Sequence, residues 1–330
     1  MVVELFKDPI YREFASRRPI AVMAQLTMRH VLDARALQQV FLEHAVNQRE
    51  EKIPFAALTQ MLASVVLCLE PSVNAGIRKM RKQLGASHQA VYGKLQRTEL
   101  CTLRGFVQYS WKQTVAIQGE LGLRPRAELA GWETLILDGN HLAATEHRLK
   151  ETRDITAAPL PGKTLVVYSP RRDAVMDCFP IEDGHAQERS ALDDVLKIVR
   201  RRQLWIGDRN FCTLKFLYGI VAAGAAFIMR QHGQLEGKPL GKPRRIGRTD
   251  TGTVYEQKFQ LPAYEGESLV VRRVIVELDK PTRDKDDTLY LLTNLPAEEA
   301  DALVIAEQYR GRWRIETVMQ RLTESFRCEI

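Results

Sequence analysis

The sequence predicts an α/β fold preceded by an α-helical region, on three observations. Apolar residues up to about Arg126 recur with helical spacing. From about residue 130, strand-like apolar runs alternate with helical ones. The stretch His232–Arg248, rich in Gly, Pro and Lys/Arg, then interrupts that alternation, and more strand-like runs follow it.

The bulk properties fit a globular chain. It has 330 residues, 45% apolar and 27% charged, enough to bury a substantial core and unlike a fibrous or wholly disordered protein. The formal net charge of +7 favours a polyanionic partner. Five cysteines are scattered without a CxxC pair, which argues against a zinc ribbon or a secreted disulfide framework. The longest apolar runs, Met61–Leu69 and Leu217–Met229, are too short to span a bilayer, and the N-terminus carries Glu4, Lys7 and Asp8. A cytoplasmic, non-membrane protein is expected.

In chain order, residues 1–126 form the helical region. Ala56–Leu69 has helical spacing and Pro71 stops it. After the basic cluster Arg78, Lys79, Arg81 and Lys82 comes Leu84-Gly85-Ala86-Ser87, then a short helix with Ala90, Val91 and Leu95 inward. A Gly turn and a Ser cap before that helix suit a helix-turn-helix near 78–98. His88, Gln89, Tyr92 and Lys94 would then be exposed toward DNA; a plain helical hairpin with a solvated basic face reads equally well.

Residues 127–330 form the α/β region. Strands are expected at Thr134–Leu137, Thr164–Tyr168, Ala174–Phe179, Leu204–Gly207 and Ala226–Arg230, the early ones antiparallel. Helices are expected at Glu188–Arg202 and Leu214–Ala223. A β-rich insertion spans about 232–286, with strands at Val254–Leu261 and Leu269–Leu278. Leu289–Thr293 returns to an apolar strand, and one long helix runs from Ala297 to at least Phe326. The chain closes on Arg327-Cys328-Glu329-Ile330 without a Gly or Pro stop signal, which suits further material downstream, with a fraying natural terminus as the alternative.

Two apolar strands each lead into an aspartate, Asp138 and Asp208. Carboxylates delivered together at strand ends repel unless a cation lies between them, a natural arrangement for Mg²⁺ or Mn²⁺. Each aspartate alone also has an ordinary reading. Asp138-Gly139 suits a hairpin turn, and Asp208 suits a helix cap. In the last helix Tyr309, Arg312 and Glu316 are spaced three then four apart and share a face. Ile315, Met319, Leu322 and Phe326 form a separate stripe that can pack on the sheet. Trp205 and Trp313 are expected in the core. A P-loop is excluded, because the Gly required before Gly162-Lys163-Thr164 falls at Ala157. His141, His147 and His185 are the remaining candidates for a transition-metal site, and surface histidines are the simpler reading.

Together these residues resemble the DDE-type insertion-sequence transposases of bacteria, marked by a Y-x2-R-x3-E-x6-K signature. Tyr309-Arg310-Gly311-Arg312-Trp313-Arg314-Ile315-Glu316 fits its first three letters. Leu291-Leu292-Thr293-Asn294-Leu295-Pro296 and Gly207-Asp208-Arg209-x-Phe211 are also typical of the group, and the likeness covers roughly 130–326. It implies a ribonuclease-H-like catalytic core with Asp138, Asp208 and Glu316 as a triad holding two Mg²⁺ or Mn²⁺ ions. It also implies that Tyr309 and Arg312 hold the DNA end. Arg209 beside Asp208, Lys94 in the helix-turn-helix and Arg244 and Arg245 in the basic insertion are candidates for further DNA contacts, with plain surface positions and a solvated loop as the alternative readings. The implied reaction is metal-dependent cleavage of transposon ends and strand transfer into target DNA. The implied partners are double-stranded DNA with terminal inverted repeats, target DNA, and a second copy in a DNA-assembled dimer within the bacterial nucleoid. The signature's lysine falls at Thr323. Two alternatives stand beside this reading: a truncated or inactive copy that only binds DNA, and a structure-specific nuclease on the same fold.

Overall fold

The computed structural model describes residues 9–49, 52–141, 163–181, 186–282 and 285–324. Contacts divide these into two compact units, one up to Gln113 and one from Thr114 to Glu324.

The first unit is helical, as its spacing predicts. It comprises α1 (Pro9–Arg17), α2 (Pro19–Val31), α3 (Ala34–His44), α4 (Phe55–Val66), α5 (Val73–Lys79), α6 (Arg81–Leu84), α7 (His88–Gln96) and the start of α8 (Leu100–Glu120). Asp33, Ser72 and Ser87 cap α3, α5 and α7 through their side-chain oxygens. Gly85 ends α6 in the left-handed conformation, at φ 60°, which a residue without Cβ adopts freely. The turn and cap therefore stand where the helix-turn-helix reading puts them. Ile77, Leu84 and Val91 are buried together with Leu58 and Met61. Three details differ from expectation: Ala90 is exposed, His88 is half-buried, and Lys94 is buried. Helical periodicity put Ala90 inward, but the core lies on the Val91 side of α7.

The second unit is built on one nine-stranded mixed sheet in the order β3-β2-β1-β4-β5-β9-β8-β7-β6. Its strands are β1 (Glu133–His141), β2 (Lys163–Ser169), β3 (Ala174–Ile181), β4 (Gln203–Gly207), β5 (Ala226–Arg230), β6 (Lys238–Thr249), β7 (Gly252–Gln260), β8 (Val270–Leu278) and β9 (Thr288–Thr293). β1 pairs antiparallel with β2 and parallel with β4, and β4 pairs parallel with β5. β9 joins β5 to β8, so the strands of the 232–286 segment continue the same sheet. The basic stretch that breaks the sequence rhythm is the edge strand β6. Pro239, Pro243 and two register shifts mark it, features that discourage pairing with another edge.

Apolar side chains cover both faces. One face packs against α9 (Leu192–Leu196) and α10 (Leu214–Ala222) around Trp205, Phe216 and Phe227. The other packs Ile136, Ile206, Ile228 and Val274 against α11 (Ala302–Arg310) and Ile315 of α12 (Arg314–Glu324). Two expected helices are corrected. The helix expected over Glu188–Arg202 is a 3₁₀ turn, Glu188–Ala191, followed by the short α9. The chain must turn into β4, and the Gln203 side chain accepts from Arg200 N at 2.8 Å to close that turn. The long terminal helix begins only at Ala302, capped by Asp301, and is interrupted by a 3₁₀ turn at Gly311–Trp313. Phe326, Cys328, His147, His185 and Gly162 lie outside the described residues, as do the side chains of His141, Leu322 and Thr323. Among the described residues, no helix is long and apolar enough to cross a membrane.

Candidate active site

Three strands deliver three polar side chains to one row on the α11 face. In β1, Ile136 points to that face, so Asp138 two residues on does too. In β4, Leu204 and Ile206 point there and Asp208 follows; in β5, Ile228 points there and Arg230 ends the strand. The ladders align Leu137 with Gly207 and Gly207 with Met229, which brings Asp138, Asp208 and Arg230 side by side. The row lies at the carboxyl ends of parallel strands, where open α/β sheets bind ligands.

The ordinary readings of the two aspartates do not hold. Asp138 lies within β1, opposite Val166 of β2, and not in a turn. Asp208 precedes the 3₁₀ turn Arg209–Phe211, but its side chain makes no cap hydrogen bond.

The broken helix supplies the facing wall. Tyr309 is buried on α11, and its Oη donates to Asp208 Oδ1 at 3.4 Å. The 3₁₀ turn then carries Arg312 inward, leaving it only 8% exposed. Its Nη1 donates to Asp138 Oδ2 at 2.6 Å and its Nη2 to Glu316 Oε1 at 3.3 Å. Arg312 Nε is buried and finds no hydrogen-bond partner among the described residues. Ile315 packs on the sheet as expected, with Met319 beside it. Trp313 is 49% exposed, against expectation. It lines a cavity of about 440 Å³ with Leu289, Leu291, Ala306, Tyr309 and Arg310.

Burial pushes the Asp138 carboxyl up to about 6, a rise that the Arg312 guanidinium and the Gly139 N–H oppose and the charges of Asp208 and Glu316 reinforce. Burial likewise raises the Tyr309 hydroxyl, helped by the Asp208 charge. Burial works against the charge on Arg312, yet its acidic neighbours, Asp138 first, outweigh that cost and hold it protonated.

Among the described residues, no three Asp, Glu, His or Cys side chains converge closely enough to form a ready-made metal cage. In this site the Arg312 guanidinium stands between Asp138 and Glu316. The donor set nevertheless suits a hard divalent cation. Two register-matched carboxylates and a third across from them are all oxygen ligands, and Asp138 is held against its preference for the neutral form.

The structure gathers five of the expected residues: Asp138, Asp208, Tyr309, Arg312 and Glu316. Arg209, next to Asp208, is half-buried. Arg244 and Arg245 are exposed on β6, opposite Glu256 and Tyr255. Lys94 belongs to the helical unit; it is buried, with Nζ donating to the Arg49 carbonyl at 3.3 Å, so the expectation that it is exposed is corrected. Arg230 was not anticipated. Its Nη1 lies 4.0 Å from Asp208 Oδ1 and its Nη2 lies 2.5 Å from Asp286 Oδ2. That hydrogen bond holds the Asp286 carboxyl below its ordinary value. The signal was available: Arg230 ends an apolar strand as the two aspartates follow theirs.

A family model described as a transposase DDE domain matches residues 133–329, more than half of the chain. No curated protein matches it.

Proposed function

The chain belongs to the transposase DDE domain family, and on that premise we propose that Asp138, Asp208 and Glu316 are its catalytic triad. The observation that carries this reading is the placing of Asp138 and Asp208 side by side by strand register, with Glu316 tied to Asp138 through Arg312. The mixed sheet and its flanking helices support a ribonuclease-H-like core.

The proposed reaction is hydrolysis of a phosphodiester at a transposon end, followed by transesterification that joins the freed 3′-OH to target DNA. The three carboxylates would hold two Mg²⁺ or Mn²⁺ ions, which when bound supply charge stabilisation of the oxygens that attack and leave. Glu316 and Asp138 are available for that role once Arg312 turns to another anion, and a DNA phosphate is the anion its planar fork suits. Tyr309 steadies Asp208 through its hydroxyl. Arg230 holds the Asp286 segment beside Asp208, and Arg209, next to Asp208, would contact a phosphate of the bound end. Arg244 and Arg245 would neutralise DNA backbone along the exposed edge strand. The helical unit, with its turn-and-cap helix α7, would grip the terminal inverted repeats. Two copies would assemble on paired ends, in the bacterial nucleoid.

The test is Mg²⁺- or Mn²⁺-dependent nicking of duplexes carrying the terminal repeats that flank the coding region. Joined products with a short target duplication are expected; cleavage without joining would favour a structure-specific nuclease. Thr323, at the place of the signature's lysine, favours a second reading in which this copy binds ends without cutting them. End binding with no nicking at any metal concentration would establish that reading instead.

A further inference from the structure

Lys94 is 8% exposed and lines a cavity of about 460 Å³ in the helical unit, with Arg49, Lys52 and Arg97 around the same space. No acidic residue is among the described residues that line it. The Lys94 ammonium has three donors. One is used on the Arg49 carbonyl, and the nitrogen also stands 5.3 Å from the Phe41 ring centroid. Neither contact neutralises the charge. Among the described residues the Lys94 ammonium has no counter-ion; burying such a cation is costly, and an anion entering the cavity would reduce that cost.

The walls of the cavity are held in place. The Glu99 carboxylate accepts from Val46 N and Asn47 N, each at 2.8 Å, and the Gln48 amide donates to the Arg97 carbonyl. Those amides lower the Glu99 pKa, so its charge is taken up by backbone rather than by the cavity's cations.

The position on α7 says which anion. Ala90, Lys94 and Arg97, spaced four then three apart, share one flank of the helix. Gln89, Tyr92 and Gln96 are exposed and lie off that flank. A helix seated in a DNA groove carries its flanks beside the phosphates. We propose that this cavity receives a backbone phosphate of double-stranded DNA, with Lys94 at its base and Arg97, Arg49 and Lys52 at its rim. The site rests on the reading of the helical unit as DNA-binding and makes that reading specific.

Fluorescence anisotropy of the full chain with a labelled terminal-repeat duplex, over a range of salt, tests this. Arg97→Gln and Lys94→Met should each weaken binding by about ten-fold and flatten the plot of log affinity against log salt by about one. Arg35→Gln, an exposed charge on α3, serves as a charge-matched control and should leave both quantities unchanged. Lys94→Met keeps the length of the buried chain, and the exposed Arg97 keeps the measurement interpretable should Lys94→Met fail to fold. Unchanged binding by the cavity variants, or an equal loss in the control, would overturn the site. If Arg81→Gln and Lys82→Gln on α6 also change nothing, the DNA-binding reading of the whole helical unit falls with it. A loss in those two with none in the cavity variants would remove the cavity alone.

Discussion

Arg312 reaches Asp138 at 2.6 Å, and with its other nitrogen it reaches Glu316 at 3.3 Å. One guanidinium thus balances two carboxylates that lie 178 positions apart in a 330-residue chain. The charge that holds the site together in the free protein is a side chain. The same site is proposed to work with divalent ions once that side chain is engaged by DNA.

Replacing Arg312 by Ala should therefore have two effects. Binding to terminal-repeat duplex should weaken, with the salt slope reduced by about one unit. Mn²⁺ binding to the DNA-free protein, followed by electron paramagnetic resonance, should tighten at least several-fold. An unchanged salt slope would take Arg312 off the phosphate contacts.

Asp138→Asn and Glu316→Gln should abolish strand cleavage while leaving end binding nearly intact, as read by nicking and gel-shift assays on the same duplex. Equal loss of binding would make these residues structural supports. The assay should include both variants, since the Glu316 side chain is 51% exposed and that of Asp138 only 21%.

The pH dependence has a defined sign. Burial raises Asp138 to about 6, so its carboxylate form is lost as pH falls through 6, not through the ordinary range near 3.8. A cation competes with protons for that form. Mn²⁺ affinity of the DNA-free protein should fall steeply between about pH 7 and pH 5. Affinity that holds level down to pH 5 would contradict the assignment of the half-buried Asp138 as a ligand.

Gly207→Ala should damage the site through packing. A Cβ there would lie 2.8 Å from Met229 Sδ and 3.1 Å from Phe211 Cδ2, both fully buried. Overpacking of this kind costs about 1–3 kcal/mol, measurable by urea denaturation. Cleavage should fall further than stability alone explains, because Asp208 is the next residue.

Much of this site can be read from the sequence because it uses local rules. Asp138 and Asp208 follow apolar strand runs, and Tyr309, Arg312 and Glu316 follow helical spacing. The parts that could not be read depend on distant segments. Lys94 sits on α7, but its cover comes from Arg49 and Phe41, more than forty positions upstream. The 3₁₀ turn that aims Arg312 inward and Trp313 outward reflects packing of α11 and α12 on the sheet, and spacing alone predicts an unbroken helix. The basic Gly/Pro stretch reads as a break, yet pairing with β7 makes it a strand.

Anomalous diffraction from crystals of the protein bound to terminal-repeat DNA and soaked in Mn²⁺ addresses the central claim most directly. Two manganese peaks in contact with the carboxylates of residues 138, 208 and 316, with the guanidinium of residue 312 turned to a DNA phosphate, are the predicted result. Manganese bound elsewhere, or an arginine still bridging residues 138 and 316 in the DNA complex, would contradict it.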